Sequence, residues 1–294
     1  MNAILICPST RPGVEHLSTL APLAALPLLG QGLVEYWLTH LAINGAEEVH
    51  ILANDRPQHI AALVGNGARW GLKAEVIPET RELTLAQAQI KFAREITSGT
   101  HEIVVLDHFP GSVQPLFTSY ADLFAGVLEW MPKALTPDRL GLRELQPGIW
   151  VGLHSKISPE AKLHAPCWIG QNVYVGAGAV IGPMAVVEDR TFIEPKAQVN
   201  SCFVGPDTFV GQRAVLQEAF ALGSLLINWK TNAFLKVAES FVLSALRRPG
   251  LGGDPSQLIG KVTQLYAKNK EELQTFWKHF LFDKEDNAST HDKL

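Results

Sequence analysis

Cysteine is scarce in this chain: 294 residues hold three, Cys7, Cys167 and Cys202, widely spaced and without a Cys-x-x-Cys pair. That argues against a disulfide framework and a cysteine zinc site, and it suits a reducing cytoplasm. Charge is thin as well. Charged residues make up 18% of the sequence, the net charge is −4, and no long basic run occurs, which sets nucleic acid aside as a partner. Long apolar runs are also missing. The stretch 20–29 is short and broken by Pro22 and Pro27, too little to span a bilayer. The start, Met-Asn-Ala-Ile-Leu-Ile-Cys-Pro, lacks a basic n-region and reads as a first strand rather than a signal peptide. A cytoplasmic protein with no membrane partner is therefore expected. Its 294 residues and 47% hydrophobic content leave room for two domains.

Rhythm is what the chain has in abundance. An aliphatic residue recurs at every sixth position: Val151, Ile157, Leu163, Ile169, Val175, Ile181, Val187, Ile193 and Val199. One residue is then dropped, and the beat resumes at Val204, Val210, Leu216 and Leu222. Four positions after each of the first eight aliphatics stands a small or β-branched residue: Ser155, Ala161, Cys167, Val173, Ala179, Ala185, Thr191 or Ala197. A period of six fits neither a helix nor a flat strand alone; it fits a short strand and a turn, repeated. Side chains two apart on a strand share a face. Each small residue and the aliphatic two positions later therefore point inward together. Glycines directly after the aliphatics, such as Gly170 and Gly182, are expected to allow unusual backbone angles and close approach. Units repeated at a fixed period stack over one continuous core. The stretch resembles the hexapeptide-repeat family. That resemblance implies a left-handed parallel β-helix with three faces per coil, here about four coils. The left hand comes from the resemblance alone and runs against the usual right-handed crossover.

Before the repeat, strands and helices alternate. Residues 3–7, 48–53, 72–77 and 102–106 read as strands. Residues 32–44, 57–66 and 84–97 read as helices, the first ending at Gly45. Such alternation predicts a parallel α/β sheet whose ligands sit at the carboxyl ends of its strands. The residues placed there are Thr10 and Arg11 after the first strand, Glu79 after the third, and Asp107 and His108 after the fourth.

The order strand, Thr10-Arg11 loop, Pro-rich apolar segment, Gly30-Gln-Gly-Leu-Val-Glu-Tyr36 and helix is similar to the sugar-1-phosphate nucleotidyltransferases. Several members of that family also carry a hexapeptide β-helix after the catalytic domain. The resemblance implies attack of a sugar phosphate on a nucleotide triphosphate. Glycine-rich backbone and cations would cradle the phosphates, with carboxylate-held Mg²⁺. It assigns nucleotide or phosphate binding to Thr10, Arg11, Glu79 and Asp107, and a metal role to Asp107. The chain also departs from the family pattern. Cys7 and Ser9 stand where the family has glycines, Pro8 between them removes an N–H donor, the family's lysine falls on Leu23, and the sugar-binding half with its second metal carboxylate is missing. Impaired or absent pyrophosphorylase activity is the consequence. Each survivor also has a structural reading: Arg11 as a surface cation, Asp107 as a cap, Glu35 as a partner of the helix dipole.

The expected architecture is α/β plus all-β. A truncated Rossmann-like domain spans 1–134, a linker 135–147, the left-handed β-helix 148–230, and a helical cap and tail 231–294. Residues 114–132 read as a connecting amphipathic helix. Residues 234–246 read as an amphipathic cap over the last coil, and 257–282 as a final helix rich in aromatics. Homo-oligomerisation is expected through the β-helix or these helices. Two other functions stay open. One is a hexapeptide acyltransferase with His154 or His164 as base. The other is a scaffold or regulatory subunit without a small-molecule site.

Overall fold

The computed structural model describes residues 2–93, 101–135 and 141–246. Strand β1 (Asn2–Ile6) is the centre of the first layer. It is apolar on both sides: Ala3 and Leu5 join one core, Ile4 and Ile6 another, as alternation along a strand requires. A hairpin follows, made of β2 (Pro27–Leu28) and β3 (Gln31–Gly32). Its turn residues, Leu29 and Gly30, both have positive φ. Helix α1 (Leu33–Ile43) begins at Gly32, whose N–H donates to Glu35 Oε2 at 2.8 Å. It ends before Gly45 at φ +76°, a turn geometry that glycine takes without steric cost. Glu35 is buried and ion-paired with Arg69 at 2.7 Å. It caps and anchors its helix rather than merely facing the dipole.

Strands β4 (Glu48–Ala53), β5 (Lys73–Pro78) and β6 (His101–Val105) complete the sheet, with α2 (Pro57–Val64) between the first two and α3 (Leu85–Lys91) between the last two. All the pairings are parallel, and the order is β5-β4-β1-β6. The chain thus steps outward on one side of β1, then returns to its other side for β6. Of the helix expected over 84–97, Leu85–Lys91 is described as such, and 94–97 lie outside the described residues. Helix α4 (Tyr120–Trp130) starts later than expected, where the Ser119 hydroxyl accepts from Asp122 N–H at 3.1 Å.

From Ile149 the chain winds through three stacked parallel sheets. Lys162 pairs with Val180 and Cys167 with Ala185, eighteen residues on; Tyr174 pairs with Phe192, the same step. Each coil therefore contributes one short strand to each of three faces. The inward residues, among them Ile169, Val175, Ile181, Val187, Ile193 and Val199, form one buried core with Cys167, Ala179, Ala185 and Ala197. The glycines serve close approach more than unusual angles: a Cβ on Gly170 would lie 2.7 Å from Asp189 N. The step shortens to seventeen at Ala185↔Cys202 and remains so at Phe203↔Phe220. One corner, Gly182 to Met184, is replaced on later coils by the two-residue corners Asn200–Ser201 and Gln217–Glu218. A second residue is thus lost, and the final beat falls on Ala221 inside, with Leu222 packed outside. That corrects the expected inward Leu222.

The outward residues distinguish the faces. One face carries Trp150, Trp168, Val186, Phe203 and Phe220, all buried in the same core as α1 and α4. Tyr120 and Phe124 of α4 meet Phe220 at ring distances of 5.7 and 6.1 Å. Another face stacks Tyr174, Phe192 and Phe209, at 4.3 and 6.0 Å. Residues Met1–Arg247 form one compact unit. Within 135–147, the strand Leu142–Gln146 pairs antiparallel with Ile149–Gly152.

The helical cap expected over 234–246 is corrected by two strands. Phe234–Lys236 pairs antiparallel with Leu225–Asn228, and Leu243–Ala245 pairs with Thr208–Val210. The last coil presents open N–H and C=O groups, and pairing with them outweighs a helical hydrophobic pattern. The tail from 247, including the helix expected over 257–282, lies outside the described residues.

Candidate functional site at the carboxyl edge of the sheet

Strand β1 neighbours β4 on one side and β6 on the other, and the order in which strands are added to the sheet reverses between β1 and β6. In open α/β sheets that reversal opens a crevice at the carboxyl ends of the two strands. The loop after β1 carries Ser9, Thr10 and Arg11; the loop after β6 carries Asp107 and His108. Both are held to the sheet by main-chain bonds, Cys7 N–H to Leu52 O and Leu106 N–H to Ile6 O, each 2.9 Å.

Arg11 is gripped. Its guanidinium donates to Glu82 Oε2 at 2.7 Å and Oε1 at 2.5 Å, a two-point fork. Ser9 adds its N–H at 2.8 Å and its hydroxyl at 2.7 Å to the same Oε2. The hydrogen bond to Glu82 raises the Arg11 pKa, burial opposes it, and the charges of Glu82 and Asp107 add to it. For Glu82, burial is the largest influence and pushes the carboxyl up. The hydrogen bonds from Arg11 and Ser9, with Arg11's charge, outweigh it and hold the group at about 2. Cys7, beneath the loop, is pushed up to about 12 by burial, with Glu82's charge adding, so its thiol is inert.

The other expected site residues separate. Thr10 is exposed, between Ser9 and Arg11. Asp107 is close enough for its charge to act on Arg11, and its Oδ1 lies 2.7 Å from His108 Nδ1. His108 is fixed by its carbonyl, which accepts from Trp37 Nε1 at 2.8 Å, and by ring contact with Trp37. Glu79 turns to Lys91 of α3 in an ion pair. Leu23, at the position of the family's lysine, is buried in the hydrophobic core. Glu82 escaped the sequence reading because it belongs to no motif; only the fold carries it 71 residues back to Arg11.

A second carboxylate grips the first layer elsewhere. Glu188, fully buried, leaves the β-helix to accept from Leu29 N–H at 2.5 Å and Gly30 N–H at 2.7 Å. His154 and His164 are both exposed and occupy different corners of the coil. His154 stands at a positive-φ corner after Ile149–Gly152, and His164 follows Lys162–Leu163. Among the described residues, no three His, Cys, Asp or Glu side chains gather as a metal site, and no helix is long and apolar enough to cross a membrane.

No family model matches the chain. A glucose-1-phosphate thymidylyltransferase from Streptomyces griseus is 28% identical to it over 86 residues, which is 29% of this chain and 24% of that protein. The match thus spans about a quarter of the relative's length and marks a nucleotidyltransferase-like relationship over that segment.

Proposed function

We propose that this protein is nucleotidyltransferase-like and takes a nucleotide or sugar phosphate at the crevice between β1 and β6, with pyrophosphorylase turnover impaired or absent. One observation carries the reading. The Ser9, Thr10 and Arg11 loop follows β1 and Asp107 follows the neighbouring β6, on either side of the point where the strand order reverses, and Asp107's charge reaches Arg11. A guanidinium, a backbone N–H and a hydroxyl are the donors that phosphate oxygens use. The match to a thymidylyltransferase supports thymidine triphosphate as the first ligand to try.

Impairment follows from what stands around the cation. Pro8 has no N–H to offer, and buried Leu23 supplies no charge where developing phosphate charge needs one. Magnesium fits as an ion arriving with the phosphates, Asp107 giving one oxygen, since such sites use one or two carboxylates and complete the shell with substrate and water. In this reading the β-helix is left-handed and supports self-association, which light scattering on the full chain checks.

The test is calorimetry with thymidine triphosphate and glucose 1-phosphate in the presence of Mg²⁺, alongside an assay of pyrophosphate release. Weak nucleotide binding that is lost in Arg11→Ala, without release of pyrophosphate, is expected. Robust turnover overturns the impairment. Binding indifferent to Arg11→Ala overturns the site.

A further inference from the structure

Four hydrogen bonds from two residues converge on one carboxylate. Ser9 N–H, Ser9 Oγ and both terminal nitrogens of Arg11 point at Glu82, at 2.8, 2.7, 2.7 and 2.5 Å. A forked guanidinium beside a main-chain N–H and a hydroxyl is a receptor for an oxyanion, and its geometry suits carboxylate and phosphate alike. The receptor already holds one. We propose that the Ser9–Arg11 loop is an anion cradle whose resident anion is the chain's own Glu82, so that a phosphate-bearing ligand binds by displacing that carboxylate. The proposal rests on the phosphate-binding reading above and adds what regulates the site.

The surroundings fit a removable plug rather than a fixed brace. Glu82 lies in the irregular loop between β5 and α3, outside any strand or helix. Swinging it out breaks no sheet ladder. The loop keeps its other anchors, Glu79 N–H on Ala53 O at 2.9 Å and the Thr84 cap of α3. Both partners of the fork reach solvent, with side chains 28% and 22% exposed, so water can take over the freed groups. While Glu82 is in place, Arg11 faces two carboxylates, Glu82 and Asp107, and an incoming anion meets net negative charge. Once Glu82 leaves, the guanidinium, the N–H and the hydroxyl lose their shared acceptor together, and Arg11 keeps only the long contacts to Ser9 Oγ and Thr10 O at 3.4 and 3.5 Å. Affinity for any phosphate is then reduced by the fraction of molecules whose cradle stands open.

The experiment compares the full-length wild type with Glu82→Gln, Glu82→Asp and the double variant Glu82→Gln/Arg11→Ala. Calorimetry is run with two probes, inorganic pyrophosphate and thymidine triphosphate. Glu82→Gln is expected to bind about tenfold more tightly than wild type or better, because the open fraction no longer limits affinity. Glu82→Asp, charged but too short for the full set of bonds, falls between them. It also serves as the readout should the Gln variant fold poorly. The double variant loses the gain. A gain with pyrophosphate marks a bare phosphate cradle; a gain confined to thymidine triphosphate marks one completed by the nucleoside, and both support the plug. Equal affinity of wild type and both Glu82 variants, with binding still lost on Arg11→Ala, overturns the plug and leaves the phosphate site standing. A gain that survives Arg11→Ala also overturns it. No binding by any variant removes the phosphate reading and the plug with it.

Discussion

The hairpin turn at Leu29 and Gly30 and the loop of Ser9 and Arg11 are each gripped by a glutamate arriving from far along the chain. Glu188 comes from the β-helix, is fully buried, and accepts two backbone N–H groups at 2.5 and 2.7 Å. Glu82 comes from a loop of the same layer, is 22% exposed, and accepts from one N–H, one hydroxyl and one guanidinium. The partners decide what each grip is for. A backbone N–H in a buried turn has nowhere else to go, so losing Glu188 strands it at the full desolvation cost. Arg11 and Ser9 can turn to water or to a ligand, so losing Glu82 costs less than losing Glu188. One carboxylate is part of the joint between the layers; the other, as the proposed plug, guards a site.

That contrast can be broken at several points. The largest expected effect is on the joint itself. Trp168 is fully buried in the core shared by α1, α4 and the β-helix, and Trp168→Ala should cost about 3–5 kcal/mol in urea unfolding. A loss below ~1 kcal/mol would mean that this face is not packed as a core. Next, Glu188→Ala should cost about 2–3 kcal/mol through the orphaned N–H groups, read as a lowered melting temperature. Were Glu82→Ala to cost as much, the two grips would be alike and the distinction would fail. Glu82→Gln should lower stability by less than Glu188→Ala does, because its partners reach solvent, while changing phosphate affinity.

The smallest and most specific test is pH. Glu82 is held at about 2, below its ordinary 4.5. A carboxyl depressed on folding contributes stability above its unfolded value and loses it as pH falls through the folded one. The stability difference between wild type and Glu82→Gln should therefore be flat above pH 4.5 and close as pH falls toward 2. A difference that persists unchanged to pH 2 would show that Glu82's charge is not what holds the loop.

Strand positions were legible because their signals are local. The run at β1, the six residues of β4 and the sixfold beat all depend on side chains near one another in sequence. The two strands in 234–245 were not legible, since their pattern also fits a helix, and only the open edge of the last coil decides between them. Of the site, Arg11 and Asp107 could be placed at a strand end, but nothing local to Glu82 announces its role.

The sequence by itself determined the alternating layer and the repeated strand-and-turn unit with its inward residues, because periodicity needs only neighbours; the three faces per coil came from the family resemblance. It also determined where the loops would stand, at the ends of strands. The tertiary structure alone decided which carboxylate occupies the cradle and which face of the coil is buried, because Glu82 is 71 residues from Arg11 and Glu188 is 159 from Leu29. Contacts across such distances are set by the packing of whole layers, which no local pattern encodes.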